Sequence, residues 1–382
     1  MIPAAASPNA APGALSGRAV TIIGGGIGGL TAALALAQRG ARVSVLERAG
    51  MRREVGAGIQ ISPNAGRVLD ALGLTEAFHA ASHPSHGVEL RDHHGALVLH
   101  LDFARWRPDA PFRTIHRARL VELLETAARA HGVNIHLNRS VESLPQAPLL
   151  IGADGLHSLV RRALNGAETP FFTGQSAWRA IIPDDDPQPL TRVFMGNGRH
   201  LVSYPLGFGQ RNLVAVLERD DWTGERWSQT DDPANLRREF AGFGGPVPGW
   251  LDRVAETGLW GLFRHQVAAR WQDGRMAILG DAAHPTLPFL AQGACMAIED
   301  AWTLAACLDA DPDQGRALSR YQQLRQPRCT RIVAAATANA RNYHLSGPKR
   351  LAAHTALRLA NRLAPSTAFE RFAWVYDHDP TA

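Results

Sequence analysis

The chain has 382 residues, 45% of them hydrophobic and 20% charged, enough apolar material for one large or two interlocked domains. Its 40 basic and 35 acidic residues leave a formal net charge of +5 spread along the chain, with no Lys/Arg run to track phosphates, which argues against nucleic acid as a partner. No apolar run approaches the roughly 20 residues that cross a bilayer, and the Ala/Pro-rich residues 1–17 lack the cationic start and apolar core of a signal peptide, so a disordered leader on a soluble, cytoplasmic protein is expected.

Ordered structure is expected from Arg18 onward. The β-branched run 19–23 reads as a strand buried on both faces. Glycines at 24, 25, 26, 28 and 29 follow, then an Ala/Leu-rich helix over 30–38 that Gly40 terminates. Residues 43–47 form a second strand, completing a βαβ opening. Helical spacing returns at 64–72 and 119–130. Between them, 88–103 alternates like a hairpin turning at His93-His94-Gly95, where the two histidines read as exposed turn residues and not as metal ligands.

From about 171 to 266 the chain shifts to short alternating runs with many Gly and Pro, the pattern of a mainly antiparallel sheet. Residues 276–279 read as a buried strand, and 294–308 and 317–343 as long helices. The cysteines, Cys295, Cys307 and Cys329, form no CxxC pair and fit neither a zinc site nor a disulfide framework, so no metal is expected. These signals predict an α/β fold: a Rossmann-like domain discontinuous in sequence (18–87, 112–165 and 272–343), an inserted, mainly antiparallel β-sheet substrate domain (88–111 and 166–271), and a C-terminal helical segment (344–382).

Three motifs carry the chemistry. Gly24-x-Gly26-x-x-Gly29 follows a strand and opens a helix, where glycines permit a tight turn, close approach of the backbone to a pyrophosphate, and close helix–strand packing. Glu47 ends the second strand, where a carboxylate accepts hydrogen bonds from a ribose diol; Arg48 follows it. The second motif, Gly152-Ala153-Asp154-Gly155, reads alone as an Asp-Gly turn with Ser158 capping the next helix. The third, Gly280-Asp281, lies at the C-terminal end of a buried strand, where Asp281 can accept from a polyol. The helix opening near Gly293 and Ala294 can turn its positive end toward a ring that gains negative charge.

In this order and at these distances the three motifs resemble the flavoprotein aromatic hydroxylase family of the p-hydroxybenzoate hydroxylase type, from about residue 18 to the end. Residues 56–64 (GAGIQISPN) and 287–294 (LPFLAQGA) resemble its salicylate and 3-hydroxybenzoate hydroxylase branch. Residues 291–300 are similar to 6-hydroxynicotinate 3-monooxygenase, and 373–377 (AWVYD) resemble the terminus of the same group.

The resemblance implies FAD as bound cofactor, NADH or NADPH as co-substrate, and dioxygen and a small aromatic acid as substrates, in a monomer or homodimer. The first motif holds the ADP part of FAD, the second serves both FAD and NAD(P)H, and the third binds the ribityl region. Arg117 reaches the FAD phosphates and Arg53 is a flavin-side contact. Pro288 lies beside the flavin where oxygen reacts, and hydroxylation runs through a flavin C4a-hydroperoxide.

On the substrate side, His200 and Tyr204 share one face if 199–204 is a strand, because side chains i and i+4 point the same way. They are either a satisfied core histidine and an interface tyrosine, or a pair that hydrogen-bonds a phenolic hydroxyl, with His200 as base. The same His-x3-Tyr spacing in the 3-hydroxybenzoate and 6-hydroxynicotinate enzymes favours the second. Gln60 and Gln292 either orient substrate or bond only to backbone, and Arg179 is either a carboxylate partner or an outward-facing surface residue. The segment between Arg139 and Leu150 is shorter than the β-meander relatives place there, which predicts a trimmed domain edge or, alternatively, weakened FAD retention or a specialised branch. The rival readings are another flavin chemistry on this fold, such as an epoxidase, a halogenase or an oxidase, and a non-enzymatic flavin-binding redox protein.

Overall fold

The β-branched run Ala19–Ile23 forms a strand that pairs in parallel with Arg42–Leu46 on one side and Leu150–Gly152 on the other. Asn134–His136 and Met276–Ile278 extend it to a five-stranded parallel sheet assembled from both ends of the chain. The computed structural model describes residues 13–50, 58–186, 188–220, 222 and 228–382. Helix Ile27–Ala37 is buried at every position from Ile27 to Leu36 and so needs cover on all sides. It packs against the helices Arg117–Ala130 and Gly293–Ala310.

The expected disordered leader does not include residues 13–17. Residues 13–17 are ordered because Leu15 is fully buried in the core and Gly17 donates its N–H to the Gly40 carbonyl at 2.9 Å. Residues 1–12 lie outside the described residues.

The β-rich middle builds an eight-stranded sheet. Its strands, in spatial order, are Ser228–Asp231, Thr257–Arg264, Phe171–Pro183, Gln210–Glu218, Arg199–Gly207, Leu190–Gly196, Gly87–Asp92 and Leu97–Asp102. All neighbours are antiparallel except Leu190–Gly196 and Gly87–Asp92, which run parallel; they come from distant segments, so no hairpin dictates their direction. One face packs Trp178, Phe194 and Leu213 against Phe240, Phe243 and Trp250 from the helical region beside it. The other face carries His200, Val214 and Val216 toward the parallel-sheet domain.

A three-stranded sheet of Gly58–Ile61, Phe112–His116 and His83–Ser85 bridges the two. The bridge is hydrogen-bonded: Gly58 N–H donates to Asn212 Oδ1 at 2.8 Å and Thr114 Oγ1 to the Pro205 carbonyl at 2.5 Å. Among the described residues, 137–149 contains no strand. Val141, Leu144 and Ala147 pack against the core instead, so apolar contact closes this edge. No helix is long and apolar enough to cross a membrane, among the described residues.

Candidate active site

A cavity of about 320 Å³ lies between the C-terminal ends of the parallel strands and the open face of the eight-stranded sheet. Both sheets contribute to its wall, and so do all three sequence motifs: Gly26, Ala153, Gly155, Gly280, Asp281, Gly293 and Ala294 line it on one side. His200, Val202 and Tyr204, alternate residues of one strand, line it on the other with Val214 and Val216 of the next.

The motif side fits a dinucleotide. Gly24 has φ +103, and a Cβ there would sit 2.3 Å from the Ala153 carbonyl oxygen; one on Gly29 would sit 2.0 Å from the Gly24 carbonyl oxygen. Glycine at 24 therefore lets the first and second motifs meet backbone to backbone, and glycine at 29 lets the helix close on the first motif's own turn. Gly26, by contrast, is open: a Cβ there would meet nothing within 4 Å. It caps helix Ile27–Ala37 with no side-chain hydrogen bond, and Gln292 caps helix Gly293–Ala310 in the same uncapped way. Neither helix has an acidic residue in its first turn. Two helix N-termini without a side-chain cap thus open on one cavity, the arrangement that phosphates and an anionic ring favour.

Glu47 accepts from Gly25 N–H at 2.6 Å through Oε2 and from Ala49 N–H at 2.8 Å through Oε1. A carboxylate has about four acceptor sites, so it retains capacity for a ribose diol. Arg117 and exposed Asp281 line the cavity, whereas Arg48 is exposed at the strand end and does not line it. Arg53 lies outside the described residues.

Asp154 does not line the cavity. Its Oδ2 accepts from Leu159 N–H at 2.8 Å and Ser158 Oγ accepts from Arg161 N–H at 2.9 Å, so both cap the following helix. Asp154 Oδ1 is buried without a hydrogen-bond partner among the described residues. Burial raises its pKa despite the bonds from Ser158 and Leu159. The cavity-facing part of the second motif is the backbone of Ala153 and Gly155.

On the substrate side, His200 is fully buried, and its ring packs edge-on to Phe289 with centroids 5.1 Å apart. Burial holds its pKa well below the usual imidazole range, with His344 beside it adding to the effect. Burial therefore works against the expected poise near neutral pH and favours the neutral imidazole. Burial pushes the Tyr204 phenol above its ordinary range, outweighing Arg179, so it stays a neutral hydroxyl. Arg179 lines the cavity, with its guanidinium 5.6 Å from the Trp260 ring centroid, which corrects the outward-facing alternative. Gln60 and Pro288 also line it.

Gln292 does not. It is 2% exposed, its Oε1 accepts from Asn64 Nδ2 at 3.0 Å and its Nε2 donates to Ser62 Oγ at 2.8 Å. Its amide braces two segments of protein, and its side chain is turned away from the cavity where the expectation placed it.

The FAD binding domain family matches residues 18–148 and 145–336. The chain is 34% identical to the 3-amino-4-hydroxybenzoate 2-monooxygenase of Streptomyces platensis, covering 94% of this chain and 95% of that one. It is also 34% identical to the 3-hydroxybenzoate 6-hydroxylase of Klebsiella oxytoca, over 86% and 89% of the two chains. The chain belongs to the FAD-dependent aromatic hydroxylases. Its fold matches a salicylate hydroxylase solved as a substrate complex, with TM-score 0.79, 23% identity and 96% of each chain covered.

Around the cavity stand polar residues to which the sequence analysis gave no role. Behind the third motif, Asp300 accepts from Gly280 N–H at 3.0 Å, His284 Nε2 at 2.5 Å and Arg325 Nε at 2.8 Å. Its neighbour Glu299 pairs with Arg325 at 2.5 Å and Arg328 at 2.8 Å. This buried charge cluster fixes the turn that presents Asp281. From the second motif, Arg161 donates to the Ala282 carbonyl at 3.1 Å and the Gln266 carbonyl at 2.8 Å, tying the two motifs together. His344 and Glu218 continue from His200 toward the surface.

Proposed function

We propose that the enzyme is a cytoplasmic, NADH- or NADPH-consuming hydroxylase of a small phenolic acid of the hydroxybenzoate or aminohydroxybenzoate class. The single observation that supports this most is the shared cavity, in which the flavin-binding motifs face a neutral histidine, a neutral tyrosine and an arginine. The relatives named above are named for action on carboxylated phenols, whose carboxylate and hydroxyl these three kinds of side chain can bind.

When bound, FAD would supply the redox chemistry that lets dioxygen deliver an oxygen atom to the aromatic ring, with nicotinamide as the reductant. Gly26 and Arg117 would hold its phosphates, Glu47 its adenosine ribose, and Asp281 its ribityl chain. Arg179 takes the substrate carboxylate as a charge-assisted pair. His200 takes the phenolic proton through Nε2, which makes the ring more electron-rich and more reactive. Tyr204 donates a hydrogen bond to the same oxygen, and Gln60 orients the ring from the bridging sheet. Val202, Val214, Val216 and Phe289 keep water from the reacting atoms.

The test is a screen of the purified, FAD-loaded protein with NADH and NADPH against 3-hydroxybenzoate, 3-amino-4-hydroxybenzoate, salicylate, 4-hydroxybenzoate and 6-hydroxynicotinate. Products are identified by mass spectrometry. The expected result is one hydroxylated acid formed per nicotinamide consumed. Nicotinamide oxidation that yields only hydrogen peroxide with every acid would overturn the proposal.

A further inference from the structure

His200 Nδ1 lies 2.7 Å from His344 Nε2, and His344 Nδ1 lies 2.6 Å from Glu218 Oε1. The three residues come from strand Arg199–Gly207, strand Gln210–Glu218 and the C-cap of helix Gln314–Tyr343. The ends of this row differ sharply. His200 is fully buried in the cavity wall, whereas the Glu218 side chain is 52% exposed. The row therefore runs from the cavity to solvent.

Its chemistry constrains every proton in it. A carboxylate only accepts, so His344 carries its hydrogen on Nδ1. Neutral His344 then has a lone pair on Nε2, and His200 must present Nδ1–H to it. That leaves the lone pair of His200 on Nε2, an atom with no hydrogen-bond partner among the described residues. At two removes, Glu218 decides which nitrogen of His200 is the base.

We propose that Glu218 and His344 are positioning residues that form a proton relay, fixing His200 as its Nδ1–H tautomer and carrying the substrate's phenolic proton from the cavity to water. The proposal rests on the reading of His200 as the base. The phenol O–H bond breaks as N–H forms on His200 Nε2. His200 Nδ1–H breaks as N–H forms on His344 Nε2, and His344 Nδ1–H breaks as O–H forms on Glu218, which passes that proton to water. One proton leaves the substrate and one reaches solvent. The row resets when the oxygen takes a proton back by the reverse path after oxygen transfer.

Burial makes such a path necessary, because His200 is a poor place to store a proton. Burial also lowers the pKa of His344, against the opposing pull of Glu218. The other groups near the row do not compete for the proton. Tyr343, 5.2 Å from the His200 ring by centroids, is pushed up to about 12 by burial. Tyr204 is raised above its ordinary range, and Arg179 and Arg117 line the cavity as cations.

The experiment uses the FAD-loaded protein and 5-hydroxy-2-nitrobenzoate, a carboxylated phenol whose phenolate absorbs visible light. A pH jump in a stopped-flow cell reads ionisation of the bound probe without turnover. Glu218→Gln keeps an acceptor for His344 Nδ1–H but cannot take its proton onward; His344→Gln removes the middle carrier. Both variants are expected to bind probe and FAD within about twofold of wild type while ionising the probe on the order of tenfold more slowly. Glu218 is half-exposed, so its variant reports even if His344→Gln fails to fold. Wild-type ionisation rates in either folded variant, with His200→Ala slow, remove the relay and leave the base. Wild-type rates in His200→Ala, or no probe bound by wild type, remove the base and the relay together.

Discussion

The two halves of the active site each bury a histidine completely, and the two behave oppositely. His284, behind the flavin motifs, donates to Asp300 at 2.5 Å; burial works against its charge, but Cys329 and Asp300 outweigh burial and raise its pKa well above the usual range. His200, in the substrate wall, faces another histidine at 2.7 Å, and burial takes its pKa well below that range. The same side chain at the same exposure becomes a fixed cation in one place and a neutral base in the other. Its nearest partner decides, because burial penalises charge at both. The cofactor side thus uses buried charge for rigidity, and the substrate side keeps its polar groups neutral and free to exchange a proton.

The sharpest way to break this contrast is to open the charge cluster. Arg325 is 2% exposed and lies against both Glu299 and Asp300. Arg325→Met leaves two buried carboxylates undercompensated, and breaking such a pair costs about 3–5 kcal/mol. Because Asp300 also holds Gly280 N–H, the variant is expected to lose FAD during gel filtration as well as stability in a urea titration. Stability within about 1 kcal/mol of wild type would show that the cluster does not organise the cofactor side.

The matching change on the substrate side should spare the fold. His200→Ala is expected to keep bound FAD but to lower coupled hydroxylation by about 10²–10⁴-fold, the usual worth of a positioned base. The readout is product formed per nicotinamide consumed. Unchanged coupling would remove His200 from the chemistry.

The two sides also predict different acid limits. Glu299 opposes its burial with Arg325 and Arg328, which bring its pKa from 4.5 down to about 2. Its folded pKa is depressed, so its stabilisation is present above pH 4.5 and is lost as pH falls toward 2. His200 is also depressed, below 6.5, so the unfolded chain takes up its proton first and stability falls as pH drops through that value. In melting curves against pH, His200→Phe should flatten the slope just below 6.5, and Glu299→Gln the slope between 4.5 and 2. An unaltered slope in either window would remove that residue from the account.

How much of this was legible beforehand follows the range of the interactions. Gly24, Gly26, Gly29 and Asp281 were readable because a strand, a tight turn and a helix follow one another within a few residues, and the geometry of that unit is local. That His200 and Tyr204 share one face was readable because a strand alternates. The parallel pairing of Leu190–Gly196 with Gly87–Asp92, and the burial of Leu15, depend on distant segments and left no local mark. The relay was invisible for the same reason: His344 is 144 residues from His200 and 126 from Glu218, at a helix end with no motif of its own.

A smaller effect tests the carboxylate partner. Arg179→Gln removes a charged hydrogen bond to the substrate, worth about 1.5–3 kcal/mol, while the cavity keeps its polar lining. The expected result is an increase of at least about tenfold in KM for a carboxylated phenol, with little change for the corresponding phenol lacking the carboxylate. Equal increases for both substrates would place Arg179 in the packing around Trp260 instead.

The smallest expected effect concerns Gln292, whose neighbours mislead. Ala291 and Gly293 both line the cavity, so sequence proximity suggests that residue 292 does too. Ala291, however, adopts a left-handed conformation with φ 52, and the turn sends the next side chain inward to Ser62 and Asn64. Gln292→Leu should therefore cost about 1–3 kcal/mol, the penalty for leaving a buried polar partner unsatisfied, with Asn64 still bonded to Glu299. KM for the acid should stay within about twofold of wild type, because the amide was never offered to the ligand. A large rise in KM at unchanged stability would mean that the loop turns outward when substrate binds, and that the cofactor side is less rigid than its buried charges imply.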